Sequence, residues 1–304
     1  MLGLSPKEAA GLTGWYLLFQ IGLFLVLAVV CGIGDAITGK QSLDGSGVNP
    51  AALILVNSAA AFLVLRRQLR KRRLPWRGLL LPATQWVGFL PGMLLIMLGE
   101  CILASEVANW MTAVLPPPQS FRDYAKPLHD LAAHPFSAPF MLVVVAAVTE
   151  EFVFRGLLLR GLLARIRPGR AISISAGLFA IMHLNPWQLS TAFLIGVILG
   201  WVYLRTRSLA LCIAGHGFHN AMSLLAAGLP FTVEGFNQGH APDVVLFQPW
   251  WFNLLGVALL CGGGYWVRRL APPIVWTLSA PSTEPPLLPH DTTTAGAPAE
   301  TLVN

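Results

Sequence analysis

Residues 149–156 read "TEEFVFRG", which sets two carboxylates, Glu150 and Glu151, and a guanidinium, Arg155, within an apolar neighbourhood. Just upstream runs "FMLVVVAAV", as apolar as any stretch in the chain. Two further segments carry polar groups at helical spacing: "FAIMH" ends in His183, and "HGFHN" holds His216, His219 and Asn220. An ionised side chain at mid-membrane costs about 2.5–3.5 kcal/mol on insertion scales, so three unpaired ones would cost up to about 10 kcal/mol. Such groups turn inward, pair, and usually serve function. Glu151 and Arg155 are related as i and i+4, so they share a helix face and can form an ion pair. Glu150 points about 100° away. It has no partner in its own helix, which suits a general base. Phe179 and His183 share one face of their helix. His216 and Asn220 share a face of theirs, with His219 close to both. Gly215 and Gly217 remove bulk around His216, for a close helix approach or for a substrate.

These groups match a chemical need. A carboxylate and an imidazole converging on one water can activate it for attack on a carbonyl. A second imidazole and an amide NH2 can hydrogen-bond the developing oxyanion. The reaction would be peptide hydrolysis inside or at the edge of a membrane. Alternatively, Glu150, His183 and His216 could bind zinc, whose usual ligands include histidine and carboxylate. The common zinc-protease signature HExxH is absent. Intramembrane carboxylates and histidines also mark transporters and proton relays. Those often show repeat symmetry and interrupted helices in matching halves, whereas this sequence has no repeat and gathers its polar groups in one half. A third class is a scaffold that binds a membrane partner without cutting it. A histidine-ligated desaturase would need many more membrane-facing histidines than His183, His216 and His219.

Long apolar elements must position these side chains. The chain has 304 residues, 55% of them hydrophobic and only 11% charged, and its mean hydropathy is +0.64. Soluble domains carry about 25% charged residues, so composition alone predicts a polytopic membrane protein. Only helices and closed barrels satisfy every backbone group in lipid, and continuous rather than alternating apolar runs exclude a barrel. The expected fold is an all-α membrane helix bundle of about eight transmembrane helices. They fall at residues 14–34, 51–65, 79–99, 139–159, 171–184, 189–204, 209–229 and 250–267. The net charge of +6 lies between apolar runs, so it reads as a topology signal and not as a nucleic-acid surface. "RRQLRKRRLPWR" at 66–77 faces the cytoplasm by this rule, and the arginines at 165–170, 205–207 and 268–269 fall on the same side. Loops 35–49, 105–134 and 230–249 fall outside, and both termini are cytoplasmic. The scattered cysteines Cys31, Cys101, Cys212 and Cys261 read as small packing residues, and the glycines at 262–264 as tight helix packing. The tail from Ala280, rich in Pro, Thr and Ala, should be disordered.

The three segments fit EExxxR, FxxxH and HxxxN in order, on separate spans. In this the chain resembles the CPBP family of membrane endopeptidases (CAAX proteases and bacteriocin-processing proteins, also called ABI), which includes the type II CAAX prenyl proteases. The resemblance covers roughly 140–225. It implies that Glu150 is the catalytic base with His183, that Glu151 and Arg155 support the site, and that His216 and Asn220 form the oxyanion site. His219 lies outside the pattern. The family is described both as metalloproteases and as glutamate-dependent proteases; because Asn220 suits an oxyanion better than a metal, a glutamate-activated water with no required cofactor is the expectation, zinc being the alternative. The partners would be a peptide or membrane-protein substrate and the lipid bilayer, and the location a bacterial inner membrane. The organisation that follows is N-terminal helices and an outer loop over 1–135, a catalytic helix core over 136–229, an outer loop and last helix over 230–279, and a tail over 280–304.

Overall fold

The structure is a computed structural model that describes residues 3–38, 50–73, 86–119, 136, 139–237 and 245–272. The described residues form eight helices and no strand. They are α1 (Pro6–Thr38), α2 (Pro50–Lys71), α3 (Trp86–Val114), α4 (140–163), α5 (Pro168–Met182), α6 (Pro186–Thr206), α7 (Leu209–Leu225) and α8 (Trp250–Leu270). A helix thus stands at each of the eight expected places. Four stretches are long and apolar enough by themselves to cross a membrane: Pro6–Cys31, Val87–Val114, Pro186–Thr206 and Trp250–Leu270. The helices α5 and α7 are shorter apolar elements. On α1 the large apolar side chains Leu18, Leu25, Val29 and Ile33 are exposed, as a lipid-facing helix requires.

Helix starts follow local chemistry. Ser5 and Glu8 close a capping box ahead of α1: the Ser5 N–H donates to Glu8 Oε2 (2.8 Å) and the Glu8 N–H to Ser5 Oγ (3.2 Å). Asn185 caps α6 by accepting from the Trp187 N–H, with Pro186 in the first turn. Ser208 caps α7 by accepting from the Leu211 N–H.

One expected boundary is corrected. The third span was expected to end at residue 99 and the outer segment to begin at 105, yet α3 runs on to Val114. The polar residues that suggested an exit are satisfied by the segment after α7. Glu106 accepts from the Gln248 N–H (2.9 Å), and Asn109 donates to the Gly235 carbonyl (2.7 Å). Helix α2 likewise continues into the basic run as far as Lys71. Residues 120–135, apart from those, and the tail expected to be disordered lie outside the described residues.

The interior is built around α4, whose Val153, Phe154, Leu157, Leu158 and Leu162 are all buried. Helices α3 and α8 touch backbone to backbone. A Cβ on Gly99 would come 2.5 Å from the Gly256 carbonyl oxygen, and one on Gly263 would come 2.5 Å from that of Gly92. Of the three glycines at 262–264, Gly263 carries this close approach, while Gly262 faces open space. The basic groups gather as well. Arg72 pairs with Glu8 at 3.2 Å and Arg165 approaches the same carboxylate at 3.9 Å. The start of α1, the end of α2 and the α4–α5 turn therefore share one end of the bundle.

Candidate active site

Helix α4 is not a uniform α-helix. Two wide-turn π stretches, Phe140–Ala146 and Phe152–Leu159, flank the short α segment Ala147–Glu151. In the second, the Arg160 N–H reaches the Arg155 carbonyl, an i to i−5 bond. Wide turns of this kind are rare in helices and concentrate at functional sites. The two glutamates sit at the junction. Thr149 just before them is anchored sideways: Asn57 on α2 donates to its Oγ1 (3.1 Å), and Asn57 Oδ1 in turn accepts from Tyr16 (2.5 Å) and Gln20 (2.9 Å) on α1.

Glu151 and Arg155 form the expected ion pair. Nη1 to Oε1 is 2.6 Å, and the side chains are 0% and 1% exposed. Arg155 Nη2 also donates to the Gly196 carbonyl on α6 (3.2 Å), and its guanidinium lies 4.9 Å from the centre of the Phe179 ring. The same Glu151 Oε1 accepts from His216 Nδ1 at 2.9 Å. One carboxylate thereby ties α4, α6 and α7 together and fixes the orientation of His216. Its other nitrogen, Nε2, lies 3.9 Å from Oε2 of Glu150. Glu150 is the more accessible of the two acids, with 20% of its side chain exposed.

His183 closes the last turn of α5. Its Nδ1–H donates to the Phe179 carbonyl (3.0 Å), which leaves Nε2 as the free acceptor. Leu184 then takes a left-handed conformation (φ 48°) and Asn185 starts α6, so the turn holds His183 at its tip. Phe179 joins the parts. Its ring meets His183 edge-on at 4.8 Å, His216 at 5.7 Å and Phe154 at 5.1 Å between centroids. Asn220 donates from Nδ2 to the Leu142 carbonyl in the first wide turn (2.7 Å), committing one of its two N–H groups. Gly217 makes that crossing feasible, since a Cβ there would sit 2.8 Å from the Val143 carbonyl oxygen.

A cavity of about 210 Å³ opens among these helices, lined in part by Phe179, His183, His216, His219 and Asn220. The three motifs therefore do meet. Glu150 is not on the cavity wall and comes to it beside His216. Among the described residues no hydrogen bond joins Glu150 to His183 directly. The zinc alternative fits less well. Glu150 and His216 approach each other, but with His183 they do not form a three-ligand set among the described residues.

Sequence reasoning passed over Glu100. It is 0% exposed on α3, and its Oε2 accepts from His219 Nδ1 at 2.8 Å and from the Cys101 thiol at 3.6 Å. Its signal was present as a lone carboxylate in the apolar run "MLGECIL". Asn57 and Tyr16 were passed over too, and only their contact with Thr149 reveals them.

Phe179 offers a direct check on this arrangement. Phe179→Leu should remove the edge contacts to both histidines and the face under Arg155. The expected loss is of order 1–3 kcal/mol, given that full truncation of a buried Phe costs about 3–5 kcal/mol. Thermal unfolding of the detergent-solubilised protein would measure it, and an unchanged midpoint would show that the ring is not the hub.

No curated protein and no solved structure matches this chain. One family model does, and its match begins ahead of α4 and ends within α7, enclosing EEFVFR, FAIMH and HGFHN. Residues 132–222 match the family model described as type II CAAX prenyl endopeptidase Rce1-like.

Proposed function

We propose that the protein is a membrane-embedded endopeptidase that hydrolyses a peptide bond of a membrane-associated or CAAX-like substrate. The observation that carries this reading is the shared cavity. His183 lines it from the end of α5 and His216 and Asn220 from α7, with the Glu150 carboxylate of α4 3.9 Å from His216. Glu150 takes a proton from water while His183 Nε2 orients that water, and the oxygen attacks the scissile carbonyl. The oxyanion that forms is met by His216 through Nε2 and by the second N–H of Asn220. Glu151 and Arg155 hold His216 in place. Because the residues present do not form a three-ligand zinc set, no step passes through a metal. The chain lies in a membrane, and we place the basic end of the bundle and both termini on the cytoplasmic side of a bacterial inner membrane. A non-catalytic scaffold would retain the buried ion pair without needing histidines along a cavity, and a transporter is disfavoured by the lack of a sequence repeat and the gathering of polar groups in one half.

The test uses purified protein in liposomes with a farnesylated peptide ending in a CAAX sequence. Mass spectrometry should find one internal cut, absent with Glu150→Gln. An intact peptide after incubation with wild-type protein would reject the CAAX-like substrate class.

A further inference from the structure

His219 stands on the cavity wall, is backed by the buried Glu100, and has no part in the mechanism above. Glu100 is fully buried, and of the described basic side chains His219 is the one that reaches it. A buried carboxylate is strongly disfavoured without a hydrogen-bonding partner, and His219 supplies that partner to Glu100. The His219 Nδ1–H is committed to Glu100 Oε2 at 2.8 Å. Nε2 is then its remaining nitrogen, on a side chain that is 19% exposed and lines the cavity with His183, His216 and Asn220. Glu100, Cys101 and His219 bring polar atoms within 4.8 Å of one another. Even so, 2.8 Å between Glu100 and His219 is a hydrogen bond. It is shorter than the roughly 3.3 Å that separates two tetrahedral zinc ligands at ordinary bond lengths.

Peptide hydrolysis also needs a proton delivered to the leaving amine, a role the mechanism above assigns to no residue. An amide nitrogen is a poor leaving group until it is protonated. We infer that His219 is the general acid for the leaving amine and that Glu100 is its positioning residue. This inference rests on the endopeptidase reading. Water gives one proton to Glu150, and its oxygen bonds to the carbonyl carbon. The C–N bond then breaks as the nitrogen takes the proton from His219 Nε2. The products are a carboxylic acid and an amine. Glu150 releases its proton to solvent and His219 takes one back, so the enzyme is restored with one water consumed.

Leaving-group chemistry separates this role from a purely structural pin between α3 and α7. The probes are the farnesylated CAAX peptide and its depsipeptide, with an ester oxygen in place of the nitrogen at the bond wild-type protein cuts. An alkoxide needs far less help to leave than an amide anion. His219→Gln should therefore lower kcat on the amide by about 100-fold or more, while kcat on the ester falls by less than about 5-fold. Glu100→Gln, which can still accept from Nδ1–H, should show the same selectivity at about 10-fold. Equal losses on amide and ester would mark a structural pin and overturn the inference, and so would an unchanged amide rate in His219→Gln. Glu150→Gln should be inactive on both probes. If wild-type protein cuts neither, the substrate reading fails and takes this inference with it.

Discussion

Glu150→Gln is expected to lower kcat by about 1,000-fold, since a positioned general base contributes about 10²–10⁴. The amide keeps the size and planarity of the carboxylate but accepts no proton from water. Folding should be unaffected. Glu150 is part-exposed and its near contact is the His216 ring at 3.9 Å, beyond hydrogen-bond distance, so the loss in stability should be small. His183→Gln should produce a comparable fall, because the Nε2 lone pair that orients the water is lost while the bond to the Phe179 carbonyl can be replaced. Initial rates with the reconstituted protein, beside a thermal unfolding curve, would check both parts. A wild-type rate in Glu150→Gln would remove Glu150 from the chemistry.

Arg155→Met is expected to act on stability first. Its guanidinium pairs with Glu151 at 2.6 Å where both side chains are almost wholly buried. Breaking such a pair from one side costs about 3–5 kcal/mol, because the remaining charge is left uncompensated. The methionine fills the space over Phe179 but offers nothing to Glu151 or to the Gly196 carbonyl. Activity should also fall, since Glu151 Oε1 is the atom that orients His216. Replacing both partners, as in Glu151→Gln with Arg155→Met, should recover much of the stability, because a matched neutral pair carries no stranded charge. It should not recover the rate. Unfolding midpoints for the single and double variants form the test, and an Arg155→Met protein as stable as wild type would contradict the pairing.

The pairing of Glu151 with Arg155 was legible in "TEEFVFRG" because the i,i+4 spacing places the two on one helix face. The convergence of the three motifs was legible only through the resemblance, since nothing local says that α5 and α7 approach α4. The chain did not announce that His216 would bind Glu151. That contact joins residues of two helices 65 positions apart in the chain, and local spacing carries no information about it. Glu100 was visible as a residue but not as a partner, because its histidine lies on another helix 119 positions away. The end of α3 was misread for a physical reason. Polar residues such as Glu106 and Asn109 look like an exit from the membrane until the returning segment 235–248 is found to satisfy them.

The central claim is that this protein cuts peptide bonds, and it can be tested without knowing the substrate. Protein N-termini and C-termini can be compared by mass spectrometry in cells carrying wild-type protein and in cells carrying Glu150→Gln at equal abundance. The account predicts a defined set of new termini that is present with wild type and missing with the variant, each pair marking one internal bond in a membrane-associated protein. Identical termini in the two cell populations would contradict it and favour a scaffold or a transporter.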